Sequence, residues 1–456
     1  MHWIDTTVFV FLIGFTICVG IFKSKDSAES TENFFLAGRK LSLPGFIATL
    51  VTTWYGGILG VGENTVQYGI QTWLIFGFPY YLFALLFAIY LVPKIRNYQL
   101  LSIPDHFRST YGSESGIISA FFIFILTSPA PYILSLGYLF NFIFHIPLGW
   151  GFLLSVFLSL FYVWKGGLSA VVGTDKLQFI FMFGGFFALV LTAWLKLGAP
   201  FEYLIILPEN MLELTGGNSI QYIFAWFFIA MWTFVDPGFH QRTLAAKSEK
   251  TAQNGILISI LCWFIFDILI VLSALYGVAL LDNPNPLSVY PDLALKLLPP
   301  GITGLFFVGI FSTIMSTLDS FGLISASTFG RDIMWRIENK LTNSKDPMTH
   351  IRKGFIITIF LSILLVMSIP SVVKLWYVTG SIIIPGLLIP FLHSLYEPKK
   401  PLKKPVAVLT IPVCVSFLWY IHGQLSGLYL LNLEPFYPGI SISGVLIIIS
   451  SKVKQD

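Results

Sequence analysis

Apolar residues in this chain come in runs of about twenty, separated by short polar or Pro/Gly-rich breaks. A helix rises about 1.5 Å per residue, so about twenty residues cross a bilayer core about 30 Å thick. On that spacing the chain reads as an all-α integral membrane protein of about thirteen helices, near 6–22, 44–70, 72–93, 114–140, 146–164, 172–195, 218–236, 252–281, 300–324, 354–370, 373–394, 405–423 and 437–451. The segment Met1-His2-Trp3-Ile4-Asp5 carries no Lys or Arg and no small-x-small site follows the first run, so that run is expected to be a retained span rather than a secretory signal.

Basic residues near membrane ends favour the cytoplasm. Numbering loops alternately from an outside N-terminus places 24 of the 27 Lys and Arg inside, leaving Lys196, Lys296 and Lys374 outside. The inside set runs from Lys23, Lys25, Arg39 and Lys40 through Lys94, Arg96, Arg108, Lys165, Lys176, Arg242, Lys247 and Lys250 to Arg331, Arg336, Lys340, Lys345, Arg352, Lys353, Lys399, Lys400, Lys403, Lys404, Lys452 and Lys454. A helix missed or invented in mid-chain would destroy that bias. The expected topology is therefore N-out/C-in, with 399–404 as an orientation anchor that also suits anionic lipid.

Composition agrees: of 456 residues 55% are hydrophobic and 11% charged, and the mean hydropathy is +0.80. A soluble domain carries roughly 25% charged residues. The net charge of +4 is spread over short loops rather than one basic patch, which argues against nucleic acid as a partner. Cys18, Cys262 and Cys414 have no metal-ligand spacing and read as apolar fillers. No His/Glu metal cluster, Ser/His/Asp set or nucleotide loop appears, so neither an enzyme nor a cofactor is expected. The longest polar stretch, 331–353, is too short for an output domain, and no obligatory protein partner is evident.

Two runs are interrupted. The second contains Trp54-Tyr55-Gly56-Gly57-Ile58-Leu59-Gly60-Val61-Gly62-Glu63, and the seventh ends Trp232-Thr233-Phe234-Val235-Asp236-Pro237-Gly238. Broken backbone within a membrane is tolerated only beside protein or a water-filled cavity. The second and seventh spans hold matching places in two five-helix halves, the pattern of inverted-repeat transporters that bind solute near the midplane. Glycine also permits close helix packing, the plainer explanation.

In the ninth span Thr313, Ser316, Thr317 and Ser320 follow i, i+3, i+4, i+7 and share one face. Hydroxyls and freed carbonyls, such as those near Thr52 and Tyr55, can hold a hard monovalent cation. Alternatively they bond back to the preceding turn.

With these motifs the chain resembles the sodium:solute symporter family over roughly 34–390. The resemblance rests on Phe35-Leu36-Ala37-Gly38-Arg39, Gly166-Gly167-Leu168-Ser169-Ala170-Val171-Val172-Gly173-Thr174-Asp175-Lys176-Leu177-Gln178, Gln241-Arg242-Thr243-Leu244-Ala245-Ala246-Lys247 and Ser316-Thr317-Leu318-Asp319-Ser320, in that order. It implies a leucine-transporter-type 5+5 inverted-repeat core at 34–395, preceded by an extra helix and loop at 1–33 and followed by a basic loop and two helices at 396–456. It implies a sodium site made of backbone oxygens of Thr52, Tyr55 and Thr313 and the hydroxyls of Ser316 and Thr317, with Asp175 on the inner ion path. Where proline carriers have Asp and Ser, this chain has Trp54 and Gly56; where sugar carriers place polar groups, it has Leu59, Ile229, Trp263 and Trp376, with Trp232 as the closing aromatic. A hydroxyl-rich ligand in such a site leaves its polar groups unpaired, so sugar and proline are disfavoured.

Ionisable residues within the membrane are functional candidates. Glu63 and Asp236 flank the two breaks and, with Trp54 and Trp232, suit a cationic or amine-bearing solute. Asp267 reads as a structural hydrogen-bond partner of a neighbouring helix, and Asp319, turned off the hydroxyl stripe, as a brace. The expected function is sodium-coupled symport of a small organic solute across the cell membrane, with sodium as coupling ion. The alternatives are a proton-coupled or uncoupled carrier of the same fold and, from another class, a membrane enzyme or sensor.

Overall fold

The computed structural model describes residues 1–24, 30–98, 100–342, 346–398, 400 and 402–451. Lys25, Lys345, Lys399, Lys452 and Lys454, counted above as inside, lie outside the described residues. Ten helices among the described residues are long and apolar enough to cross a membrane. One of them, Leu148–Leu197, is a hairpin: Gly167 breaks it at φ +51°, and Gly20 faces both Tyr162 and Thr174, so the two arms lie side by side. Only glycine suits that turn, because a Cβ there would meet the Phe34 carbonyl at 2.1 Å.

Adding the broken second helix and the short last one gives thirteen. We label them α1 (Trp3–Lys23), α2a (Leu43–Thr52) and α2b (Ile58–Tyr68), α3 (Gln71–Tyr98), α4 (Ser113–Phe144), α5 (148–166), α6 (168–197), α7a (Ile220–Ile229) and α7b (Pro237–Ala245), α8 (Glu249–Leu280), α9 (Ile302–Ser327), α10 (Met348–Ser368), α11 (Val372–Tyr396), α12 (Pro405–Ser426) and α13 (Phe436–Ser451).

Contacts between loops follow the expected sidedness. At the inner end, Leu41 N–H donates to the Ala245 carbonyl at 3.0 Å and Arg96 donates to the carbonyls of Thr243 and Ala246 at 2.8 and 2.9 Å. At the outer end, Asp5 accepts the N–H groups of Gly301 and Gly304 at 2.6 and 3.0 Å, and Ile70 N–H donates to Met211.

The centre is α9, in which every residue from 306 to 327 is buried. Glycines let α6 approach it: Gly185 lies against Phe306, and a Cβ on Gly309 would stand 2.5 Å from the Phe181 carbonyl. Some features have no signal in hydropathy, including the Thr127–Pro129 interruption of α4 and the amphipathic inner helix Ile103–Tyr111.

That inner helix is tied to the cytoplasmic extension of α9 by charge. Asp105 accepts hydrogen bonds from Arg331 and, at 2.8 Å, from Arg336, while Arg331 also reaches Asp332 at 2.5 Å. Burial pushes the Asp105 carboxyl up, but Arg331 and Arg336 outweigh it and hold it below the usual carboxylate range. The resulting stabilisation is full above the ordinary carboxylate value and is lost only as pH falls through the lower folded value. Replacing Asp105 with Asn is expected to leave Arg331 with Asp332 as its remaining carboxylate and to cost roughly 1.5–3 kcal/mol, the worth of a hydrogen bond to a charged group. Detergent thermal melts should show the loss undiminished from pH 5 to 8.

Candidate functional site

Five residues, 53–57, separate α2a from α2b. The break exists because Gly56 and Gly57 let α2 run against its neighbours. A Cβ on Gly56 would sit 2.3 Å from Thr317, and one on Gly57 would sit 1.9 Å from the Trp376 ring. In the seventh helix a 3₁₀ turn, Ala230–Val235, leads to Asp236 in extended backbone. Pro237 disfavours helix at the residue before it. The Asp236 carboxylate caps α7b by accepting Phe239 N–H at 2.9 Å.

The hydroxyl stripe of α9 faces the inner side of the α2 break. Thr317 donates to the Thr53 carbonyl at 3.0 Å and lies 3.4 Å from that of Thr52 and 3.3 Å from that of Thr313. The Ser316 hydroxyl is 2.8 Å from that of Thr52 and 2.6 Å from Asp175 Oδ1. Oxygens of Thr52, Thr313, Ser316, Thr317 and Asp175 therefore converge, all from residues without solvent exposure. The Tyr55 carbonyl accepts Ile58 N–H at 3.0 Å, so restarting α2b occupies one lone pair of that oxygen. Back-bonding also operates: Thr313 donates to Gly309 at 2.8 Å.

Beyond the break lies a cavity of about 90 Å³. Trp54, Ile229, Trp232, Asp236 and Trp376 line it. Gly56 packs on Thr317 instead, Leu59 is buried elsewhere, and Trp263 stands behind Trp54 with ring centres 5.3 Å apart. Glu63 lines a separate outer cavity with Tyr222, Lys374 and Tyr377. Phe76, Tyr80, Tyr132, Trp226, Phe239 and Phe321, none of them singled out in the sequence, add six more rings to the wall.

Arg242 corrects the sequence reading. Counted as an inside loop residue, it is fully buried on α7b and borders the cavity. It donates to Ser320, Thr53 and Thr49 at 2.6, 3.0 and 3.2 Å, and to the Gln241 side chain at 3.0 Å. The Pro237-Gly238 pair followed by polar His240, Gln241 and Arg242 ends the apolar run of the seventh span at 236. The available signal was the positive residue six places after Asp236, with facing hydroxyls on two other spans.

Residues 34–401 match the sodium:solute symporter family. The chain belongs to that family. Its members are transporters, and this one is a multi-pass membrane protein. A sodium/glucose cotransporter of Vibrio parahaemolyticus is 26% identical over 377 residues, covering 73% of this chain and 69% of that one. A sodium/proline symporter of Staphylococcus saprophyticus is 24% identical over 399 residues, covering 81% and 75%. Among solved structures, a substrate-bound outward-open sodium-coupled sialic acid symporter superposes with a TM-score of 0.79 at 16% identity, covering 98% and 96%. This likeness gives the symporter its leucine-transporter-type fold. The relatives' names differ in solute, so the cargo has to be argued from the cavity.

Because Gly56 meets the Thr317 side chain, Gly56→Ala is expected to separate α2 from α9 while Gly14→Ala, which meets nothing within 4 Å, serves as control. Sodium-dependent protection of the protein against heat should be lost in the first and kept in the second.

Proposed function

We propose that this symporter-family protein carries a small amine-bearing organic solute into the cell together with sodium, by alternating access. The observation that carries the reading is that one five-residue break serves both ligands. Thr53 offers its carbonyl to Thr317 on the ion side, and Thr53, Trp54 and Tyr55 line the solute cavity. An ion that fixes these residues fixes the cavity wall.

The proposed sodium ligands are the oxygens of Thr52, Tyr55, Thr313, Ser316 and Thr317, with Asp175 at the inner exit. Solute meets Trp54, Trp232, Asp236 and Trp376, with Gly56, Leu59 and Trp263 supporting that wall and Glu63 at the outer approach. An aromatic wall attracts cations through the ring faces, and the two carboxylates Asp236 and Asp267 at the wall supply counter-charge. A cavity of about 90 Å³ has room for several waters, on the order of 10–15 Å³ each; a small solute fits.

Helices α2 to α11, in the segment 34–395, form the moving core, with 1–33 and 396–456 as additions. Inward release requires α7b to part from Arg96, Leu41 and Phe35, whose carbonyl now accepts from Gln241 at 2.9 Å. Sodium and solute are coupled because each favours the same arrangement of the break; a ligand indifferent to it would shift nothing.

Uptake into proteoliposomes tests this. An inward sodium gradient should drive accumulation of an amine selected by thermal-shift screening, and Ser316→Ala/Thr317→Ala should reduce it at least tenfold. Equal uptake under a potassium or proton gradient would replace sodium coupling with an uncoupled or proton-coupled carrier.

A further inference from the structure

Four buried carboxylates stand within the helix bundle at Asp175, Asp236, Asp267 and Asp319. A charge inside a membrane protein is costly unless something compensates it. Asp175 takes the Ser316 hydroxyl and the field of the Arg242 guanidinium. Asp236 takes a backbone N–H and the same guanidinium field. Asp319 accepts from the Tyr162 hydroxyl and does not line the cavity, bracing α9 to α5.

Asp267 differs from the other three. It lies in the middle of α8 and lines the solute cavity. Its partners are phenols: Tyr81 donates to Oδ2, and the Tyr55 hydroxyl stands beside it while donating to the Trp263 carbonyl at 3.1 Å. Among the described residues no Lys, Arg or His reaches it at ion-pair distance. The Trp54 ring, edge to face with Tyr80 at 4.8 Å and tilted against Trp263 at 5.3 Å, forms the adjoining wall.

We infer that Asp267, rather than Asp236, is the specificity-determining residue that receives the ammonium group of the solute, the cation it otherwise lacks. Asp236 is already engaged in capping α7b and in balancing Arg242, so it shapes the break. Tyr81 aims the Asp267 carboxylate, Tyr55 stands beside it, and Trp54 and Tyr80 supply aromatic surface for the cation's apolar substituents. Because Tyr55 belongs to the α2 break, an ammonium drawn to Asp267 acts on the segment that faces the sodium ligands. The structural hydrogen bond expected of Asp267 to a neighbouring helix is present, from Tyr81 of α3, and Asp267 also lines the cavity.

The inference rests on the amine reading, and the experiment separates the two. The probes are choline with its uncharged isostere 3,3-dimethylbutan-1-ol, and propylamine with propanol, each titrated against the purified full chain in saturating sodium with thermal stability as readout. Wild type should bind the cationic member of a pair, and Asp267→Asn should weaken it on the order of ten- to a hundredfold, because the charge that faces the cation is removed. Asp267→Glu should recover most of that loss, and the sodium-induced shift should be unchanged in both variants, which shows that they are folded. If Asp267→Asn binds the cationic probe as wild type does, Asp267 is only a brace and this inference fails while the amine reading survives. If wild type binds the neutral isosteres as well as the cations, the amine reading fails and this inference with it.

Discussion

A helix that stops inside a bilayer leaves carbonyls without partners, and hydrocarbon provides none. In this protein the carbonyls at the end of α2a meet a stripe of hydroxyls on α9, the most enclosed helix of the bundle. Thr317 donates to Thr53 and touches the carbonyl oxygens of Thr52 and Thr313; Ser316 joins Thr52 to Asp175. This facing pair of elements conditions the rest. The glycines at 56 and 57 are required for the approach, and the same break presents Trp54 and Tyr55 to the cavity on its other side.

Around that contact the bundle carries an unusual amount of buried charge. Arg242 ties the broken seventh helix to α2a and α9 through three hydroxyls, without a direct ion pair among the described residues. Its field falls on Asp175 beside Ser316 and on Asp236 at the cavity. A single guanidinium thus relates the two broken helices, so a change on one side is felt on the other.

Much of the architecture was legible in the sequence, for physical reasons that differ by element. Apolar runs and the basic bias report directly on the membrane, so the number and direction of helices follow from residues such as Lys23, Arg96 and Lys247. Hydroxyl periodicity places Thr313, Ser316, Thr317 and Ser320 on one face; Ser316, Thr317 and Ser320 meet Thr52 and Thr53 at the α2 break, while the Thr313 hydroxyl bonds back to Gly309. Hydropathy does not reveal α7b, because a half-helix buried in protein need not be apolar, and on hydropathy alone Arg242 reads as a loop residue. Nor could it bring Tyr80, Tyr132 and Phe321 to one wall, since that depends on how α3, α4 and α9 cross. Glu63 and Asp236 each lie near a break in sequence, yet the turn of α2b carries Glu63 outward to a different cavity.

We propose that the α2 break and the α9 hydroxyls together bind sodium. Equilibrium binding of radioactive sodium to the purified protein, compared between wild type and Thr317→Ala at matched thermal stability in potassium, tests it most directly. Saturable binding displaced by unlabelled sodium but not by potassium, and lost in the variant, is the predicted result. Undiminished sodium binding in Thr317→Ala would contradict the account.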